Sequence, residues 1–335
     1  MTDQRISLQE LEAKFRDPDF PEEKLRAYFT ADPQASRPFN PSFRPDPGLV
    51  EVPRGAWLMN WFNVLARDRR HNRFERRIDK GEQLPVLVSE GDSWFQFPLL
   101  LKDVIDQLDH RYLIWSVDAA GDTLQNMVFE SPEYMTALRS NRHRVRAFLF
   151  SGAGNDMVGE DADGVAVIEK VVKPYKPGES AAWHIDTPEF AAKLAFVEEA
   201  YRKVLATVAS ELPALPVICH GYDYALPGGG PDEWRHPIYA AKDGWLGRPL
   251  REKGVRDPAL QREIVREMID ALNGVLKRLC GRTYAEGEFP NAAHVDVRGL
   301  LNPSEWADEL HPTDDGFARV AEKFVQVVTN ALPVV

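Results

Sequence analysis

An α/β fold built on a parallel sheet flanked by helices is predicted by two features of this sequence. From about residue 84 onward, short apolar runs alternate with longer amphipathic stretches. The residues able to do chemistry fall immediately after the apolar runs, where open parallel sheets bind their ligands. The chain has 335 residues, 44% of them hydrophobic and 28% charged, enough to bury a substantial core.

Five runs read as strands: Pro85–Ser89, Tyr112–Val117, Arg146–Ser151, Pro216–His220 and His294–Val297. The clearest helical patterns are Phe190–Leu212, Pro258–Leu279 and Thr313–Leu332. In the last, Thr313 or Asp314 is the N-cap, and Phe317, Val320, Ala321, Phe324, Val325 and Val328 mark one apolar stripe. Residues 1–80 read as an N-terminal helical extension: an acidic beginning, a Pro-rich linker around Pro33–Pro53, and a Trp-rich helix. Residues 81–335 form the main domain, with insertions near 157–189 and 222–257 rich in Gly, Pro, Trp and Tyr. Long insertions beside a site serve as lids or substrate walls, or simply as ordered surface loops.

Composition narrows the function. Lys and Arg number 41 against 52 Asp and Glu, a formal charge of -11, which argues against a nucleic-acid partner. The basic stretch 67–77 reads as a solvated helix face. The first ten residues lack the pattern of a secretory leader, and no apolar run approaches a membrane span, so a cytoplasmic protein without integral membrane association is expected. Two cysteines, Cys219 and Cys280, imply no disulfide framework.

Gly91-Asp92-Ser93-Trp94 follows the first strand, and Asp308-Glu309-Leu310-His311 lies near the far end. A serine hydroxyl attacks a carbonyl usefully only when an imidazole takes its proton, and the imidazole works best when a carboxylate fixes its tautomer. The three-residue spacing of Asp308 and His311 lets one turn bring the carboxylate to the ring nitrogen facing away from Ser93. Read singly, Ser93 is also an ordinary helix cap, and His311 an ordinary surface residue. Asp92, Asp156, Asp314 and Asp315 lack a His or Cys partner at ligand spacing, so no metal or cofactor is expected.

With Gly121-Asp122-Thr123 after the second strand and Gly154-Asn155-Asp156 after the third, the chain resembles the SGNH hydrolases, or GDSL esterases and lipases, over roughly residues 84–330. The four blocks stand in that family's order. The resemblance implies a flavodoxin-like three-layer α/β/α sandwich of about five parallel strands. It also implies Ser93 as nucleophile, His311 as proton shuttle and Asp308 as its partner. Ser93 N–H, Gly121 N–H and the Asn155 side chain would bind the oxyanion, with the positive end of a helix after Ser93 favouring the same charge. Gly121 also reads as a turn glycine, and Asn155 as a local Asn-turn. Trp94 stands where the family commonly has leucine, and Ala153 where it often has glycine.

His220-Gly221-Tyr222 ends the fourth strand, so Trp94, His220 and Tyr222 are candidate substrate contacts, structural hydrogen bonding and core packing being the alternatives. The expected activity is ester hydrolysis through a covalent acyl-enzyme on a lipid or small ester. A carbohydrate O-acetyl esterase or an acyltransferase would use the same residues, and a non-catalytic binding protein would keep only the fold.

Overall fold

The apolar runs align as one parallel sheet: Val86–Gly91 (β1), Leu113–Ser116 (β2), Val145–Ser151 (β3), Val217–His220 (β4) and Ala292–Val295 (β5), in the order β2-β1-β3-β4-β5. The computed structural model describes residues 5–31, 43–51, 58–160, 165–229, 244–281 and 286–332. Leu87 pairs with Ile114 on one side and Ala147 on the other, and Val217 joins Phe148 to Ala292. All residues of β1, β4 and β5 are buried, as a sheet covered on both faces requires. The order is flavodoxin-like, and the chain reverses direction across the sheet between β1 and β3.

The fifth strand begins two residues before the expected position because Ala292 and Ala293, not only the β-branched residues after them, pair with β4. Helices Val104–Leu108 and Asp314–Ala331 touch each other on one side, while Pro188–Glu211 and Pro258–Cys280 touch on the other. Each of these helices starts where the sequence supplies a cap, Asp103 for the first. Thr187, Asp257 and Thr313 accept hydrogen bonds from the N–H groups of Phe190, Ala259 and Gly316 at 3.0, 3.0 and 3.2 Å. Pro188 and Pro258 occupy first-turn positions whose N–H would have had no helical partner.

The N-terminal extension supplies helices Leu8–Arg16, Glu22–Arg26 and Leu58–Asp79, and the last lies along the edge strand β2. Phe15, Leu25, Phe62, Leu65 and Leu99 form a small apolar cluster that seats the extension on the segment following Ser93. The basic stretch 67–77 is not simply a solvated face. Arg70 holds both oxygens of Asp103 at 2.8 and 2.6 Å and the Phe95 carbonyl at 2.7 Å. Arg69 donates to the carbonyls of Phe15, Asp17 and Phe20, and Arg67 reaches the Val117 carbonyl at 2.7 Å. A guanidinium offers a fork of donors, so Arg69 ties the extension's own helices together, while Arg70 and Arg67 tie it to the segment after Ser93 and to the end of β2.

Within the insertions lie helices Val167–Val171, Ala181–Ile185 and Gly247–Glu252. Residues 161–164 and 230–243, and most of the Pro-rich linker, fall outside the described residues. Among the described residues no helix is long and apolar enough to cross a membrane. Cys219 and Cys280 are both buried free thiols.

Candidate active site

Ser93 stands at the apex of a tight turn leaving β1. The Asp92 carbonyl accepts the N–H groups of Phe95 and Gln96 at 2.9 and 3.0 Å, and Asp92 Oδ1 accepts that of Trp94 at 3.0 Å. Gly91 is required before it, since a Cβ there would lie 2.6 Å from the Phe95 ring and 3.0 Å from the Ser151 carbonyl. No helix follows directly: the next is Val104–Leu108, capped by Asp103, so the expected helix-dipole contribution at Ser93 is absent. Pro98 keeps the segment after Ser93 from continuing as a helix, because a residue preceding proline is pushed out of the helical region.

The far end of the chain meets this turn. Ser93 Oγ lies 2.7 Å from His311 Nε2, and His311 Nδ1 lies 2.7 and 3.0 Å from Asp308 Oδ2 and Oδ1. Asp308 Oδ1 also accepts the N–H groups of Leu310 and His311, both at 2.7 Å, while Ala307 N–H closes the loop on the His311 carbonyl at 2.8 Å. The carboxylate assigns the ring proton to Nδ1 and leaves Nε2 a lone pair facing the serine. Phe97 packs 4.6 Å from the imidazole centroid and Trp245 5.9 Å, which shields the pair from bulk water.

Ser93 and Asn155 line one cleft, and the Gly121 turn is tied to the end of β1 by Ala119 N–H on the Gly91 carbonyl. The N–H groups of Ser93 and Gly121 have no hydrogen-bond partner among the described residues. Gly121 has φ +82°, and a Cβ there would meet nothing within 4 Å, so backbone conformation rather than lack of space selects glycine. Asn155 is not a local Asn-turn: its Nδ2 donates to the Asp122 carbonyl at 2.7 Å and retains a second N–H. Ala153, at the position where glycine was expected, has φ 108°, in the region glycine favours.

The remaining candidates divide. Trp94, Tyr222 and Asn155 line a narrow cleft of about 40 Å³ with Ser93, Leu310 and His311. Trp94 is otherwise held by its indole N–H on the Leu310 carbonyl at 3.0 Å. Tyr222 donates to Asp92 Oδ2 at 2.5 Å and accepts the Gly154 N–H at 3.0 Å, and so joins the Ser93 turn to the Asn155 loop. Burial pushes the Asp92 carboxyl up to about 6, against the opposing hydrogen bonds from Tyr222 and Trp94. His220 does not reach the cleft. It is fully buried, with Nδ1 3.0 Å from Ser151 Oγ and its ring against Phe95, and burial lowers it to about 3, so it stays neutral.

Glu309 escaped sequence reasoning. Glu309, buried between Asp308 and His311 in sequence, accepts four backbone N–H groups: Gly228 at 2.6 Å, Trp245 at 2.8 Å, Leu246 at 3.0 Å and Gly247 at 2.7 Å. It fastens the second insertion, with Trp245, over His311. Among the described residues no group of three His, Cys, Asp or Glu side chains is placed to hold a metal ion.

No family model matches the chain, and no curated relative matches it either. Several solved structures do. A lipase from a goat rumen metagenome is 12% identical with a TM-score of 0.45, and covers 72% of this chain and 97% of its own. Phospholipase A1 from Streptomyces albidoflavus NA297 is 16% identical with a TM-score of 0.44, covering 75% and 100%. An extracellular lipase from Streptomyces rimosus is 15% identical with a TM-score of 0.43, covering 72% and 99%. Other matched structures bear the GDSL-like lipase and SGNH hydrolase names. At this level of overlap they carry nothing about substrate or residue roles, which rest on the geometry above.

Proposed function

We propose that this protein is a serine ester hydrolase of the SGNH type that works through a covalent acyl-enzyme. The observation that carries the reading is the hydrogen-bonded chain from Ser93 through His311 to Asp308. Ser93 Oγ attacks the ester carbonyl as its proton passes to His311 Nε2, and Asp308 stabilises the resulting imidazolium. The carbonyl oxygen, now negative, is held by Ser93 N–H, Gly121 N–H and the second Asn155 side-chain N–H. His311 returns its proton to the departing alkoxide. It then takes a proton from water as that water attacks the acyl carbon, and Ser93 is released with the acid.

The narrow cleft walled by Trp94, Tyr222 and Leu310 beside Ser93 and His311 favours a short acyl group in a small ester. The test is hydrolysis of nitrophenyl acetate, butyrate and octanoate by the purified protein beside Ser93→Ala, with fluorophosphonate labelling of both. Activity that falls with chain length, is lost in the variant, and coincides with a label on Ser93 supports the reading. A folded wild-type protein that neither turns over nor labels overturns it.

A further inference from the structure

We infer that Asn63, on the helix Leu58–Asp79 of the N-terminal extension, is a positioning residue for the oxyanion-binding peptide Ala120–Gly121. The inference rests on the serine-hydrolase reading and adds to it a residue from outside the sheet domain.

Asn63 is buried and makes a reciprocal pair with one residue of the Gly121 turn. Its Nδ2 donates to the Ala120 carbonyl at 3.0 Å, and its Oδ1 accepts the Ala120 N–H at 3.0 Å. Gln96, three residues after Ser93, donates from Nε2 to the same Oδ1 at 3.1 Å and to the Asn63 carbonyl at 3.3 Å. One amide therefore grips the oxyanion turn and the nucleophile turn together.

The grip acts on the donor through peptide geometry. In a trans peptide the C=O of one residue and the N–H of the next lie in one plane and point opposite ways. Holding the Ala120 carbonyl toward Asn63 consequently aims Gly121 N–H away from Asn63. Glycine lacks the Cβ that would penalise the observed φ of +82°, so both orientations of the peptide are open to it and the local backbone does not choose between them. An external clamp is needed, and the structure provides one on each side of Gly121. Asn63 takes the Ala120 carbonyl, and Asn155 takes the Asp122 carbonyl. Ala119 N–H on the Gly91 carbonyl, at 2.9 Å, anchors the base of the turn to β1.

The full-length Asn63→Ala and Gln96→Leu variants test this. Turnover of nitrophenyl acetate is referred to active sites counted by fluorophosphonate titration. Each protein is also titrated with a trifluoromethyl ketone, whose tetrahedral adduct on Ser93 carries an oxyanion. For Asn63→Ala, kcat per titrated site is expected to fall about 10- to 100-fold with KM within about threefold, and ketone affinity to fall in proportion. Gln96→Leu, which removes only the donor that steadies Asn63, moves both quantities the same way by less, and it carries the test should Asn63→Ala not fold. A merely structural role would lower the number of active sites and leave kcat per site and ketone affinity unchanged; that result overturns the inference alone. An inactive, unlabelled wild type overturns the serine reading and this inference with it.

Discussion

Tyr222 and Asp92 share a hydrogen bond of 2.5 Å beneath the Ser93 turn, and the same phenol oxygen accepts the Gly154 N–H at 3.0 Å. Two loops from different strands are thus referenced to one buried hydroxyl. Tyr222→Phe leaves a buried carboxyl without its donor and a backbone N–H without its acceptor, a combined loss of about 2–4 kcal/mol in urea denaturation. The sign of its pH dependence follows from Asp92. The Tyr222 bond stabilises the charged carboxylate, so its loss raises the carboxyl above about 6. Below that pH Asp92 is protonated in both proteins and the deficit is smaller; above it the wild type alone keeps the donor, and the deficit grows. Stability differences measured at pH 5 and pH 8 check this, and equal values at both would refute it.

Asp308 makes its case through His311. Its two oxygens sit 3.0 and 2.7 Å from Nδ1 while Oδ1 also holds the Leu310 and His311 N–H groups. Asp308→Asn presents an amide N–H to the ring or gives up the charge that supports the imidazolium. By analogy with other serine triads, kcat should drop about 10³- to 10⁴-fold with little change in KM. Steady-state kinetics on a nitrophenyl ester decide it, and a loss of less than tenfold would remove Asp308 from the proton-transfer chain.

The parts of the site legible in the sequence are those where chemistry demands a residue type at a strand end. Ser93 after β1, Gly121 after β2, Asn155 after β3, and Asp308 with His311 near the last helix are of this kind. Glu309, Arg69 and Asn63 were not legible, because their partners are backbone groups far away in sequence, which leave no side-chain signature. Glu309 meets Trp245, and Asn63 meets Ala120, across 64 and 57 residues. Of the two readings open for His220, structural hydrogen bonding is the one its surroundings fit. A histidine at a strand end looks available, yet Phe95, Trp94 and Phe324 close around it. The helix expected directly after Ser93 does not form, because Pro98 lies too close behind the turn to let one extend.

Glu309 carries a prediction about the insertion. Burial raises its carboxyl above the ordinary range while four backbone N–H groups pull it back down, so the carboxylate and those donors depend on each other. Glu309→Gln places an amide N–H among donors and leaves at least one of them unsatisfied, at a cost of about 1–3 kcal/mol. Amide hydrogen exchange at Trp245, Leu246 and Gly247 should speed up more than exchange in β1 or β3. Because Trp245 packs on His311, the ratio of octanoate to acetate turnover should shift as well. Unchanged exchange at those three amides would show that the insertion is held by other contacts.

His220 and His294 give the fold a dependence on acid that the active site does not need. Burial lowers His220 to about 3 and His294 to about 4, both below the free imidazole near 6.5. Between those values the unfolded chain binds protons that the native chain refuses, so stability rises with pH through this window and is lost as pH falls below about 6.5. Asp92 and Asp118, each raised to about 6 by burial, act in the opposite direction and partly mask the effect in the wild type. The histidine contribution emerges in a difference measurement against His220→Gln, which does not titrate. Wild-type stability relative to that variant should decline by up to about 1.4 kcal/mol per pH unit from pH 6.5 downward and stay flat above pH 7. A flat difference across the whole range would mean that His220 takes up a proton in the native state, which is incompatible with its complete burial against Phe95 and Phe324.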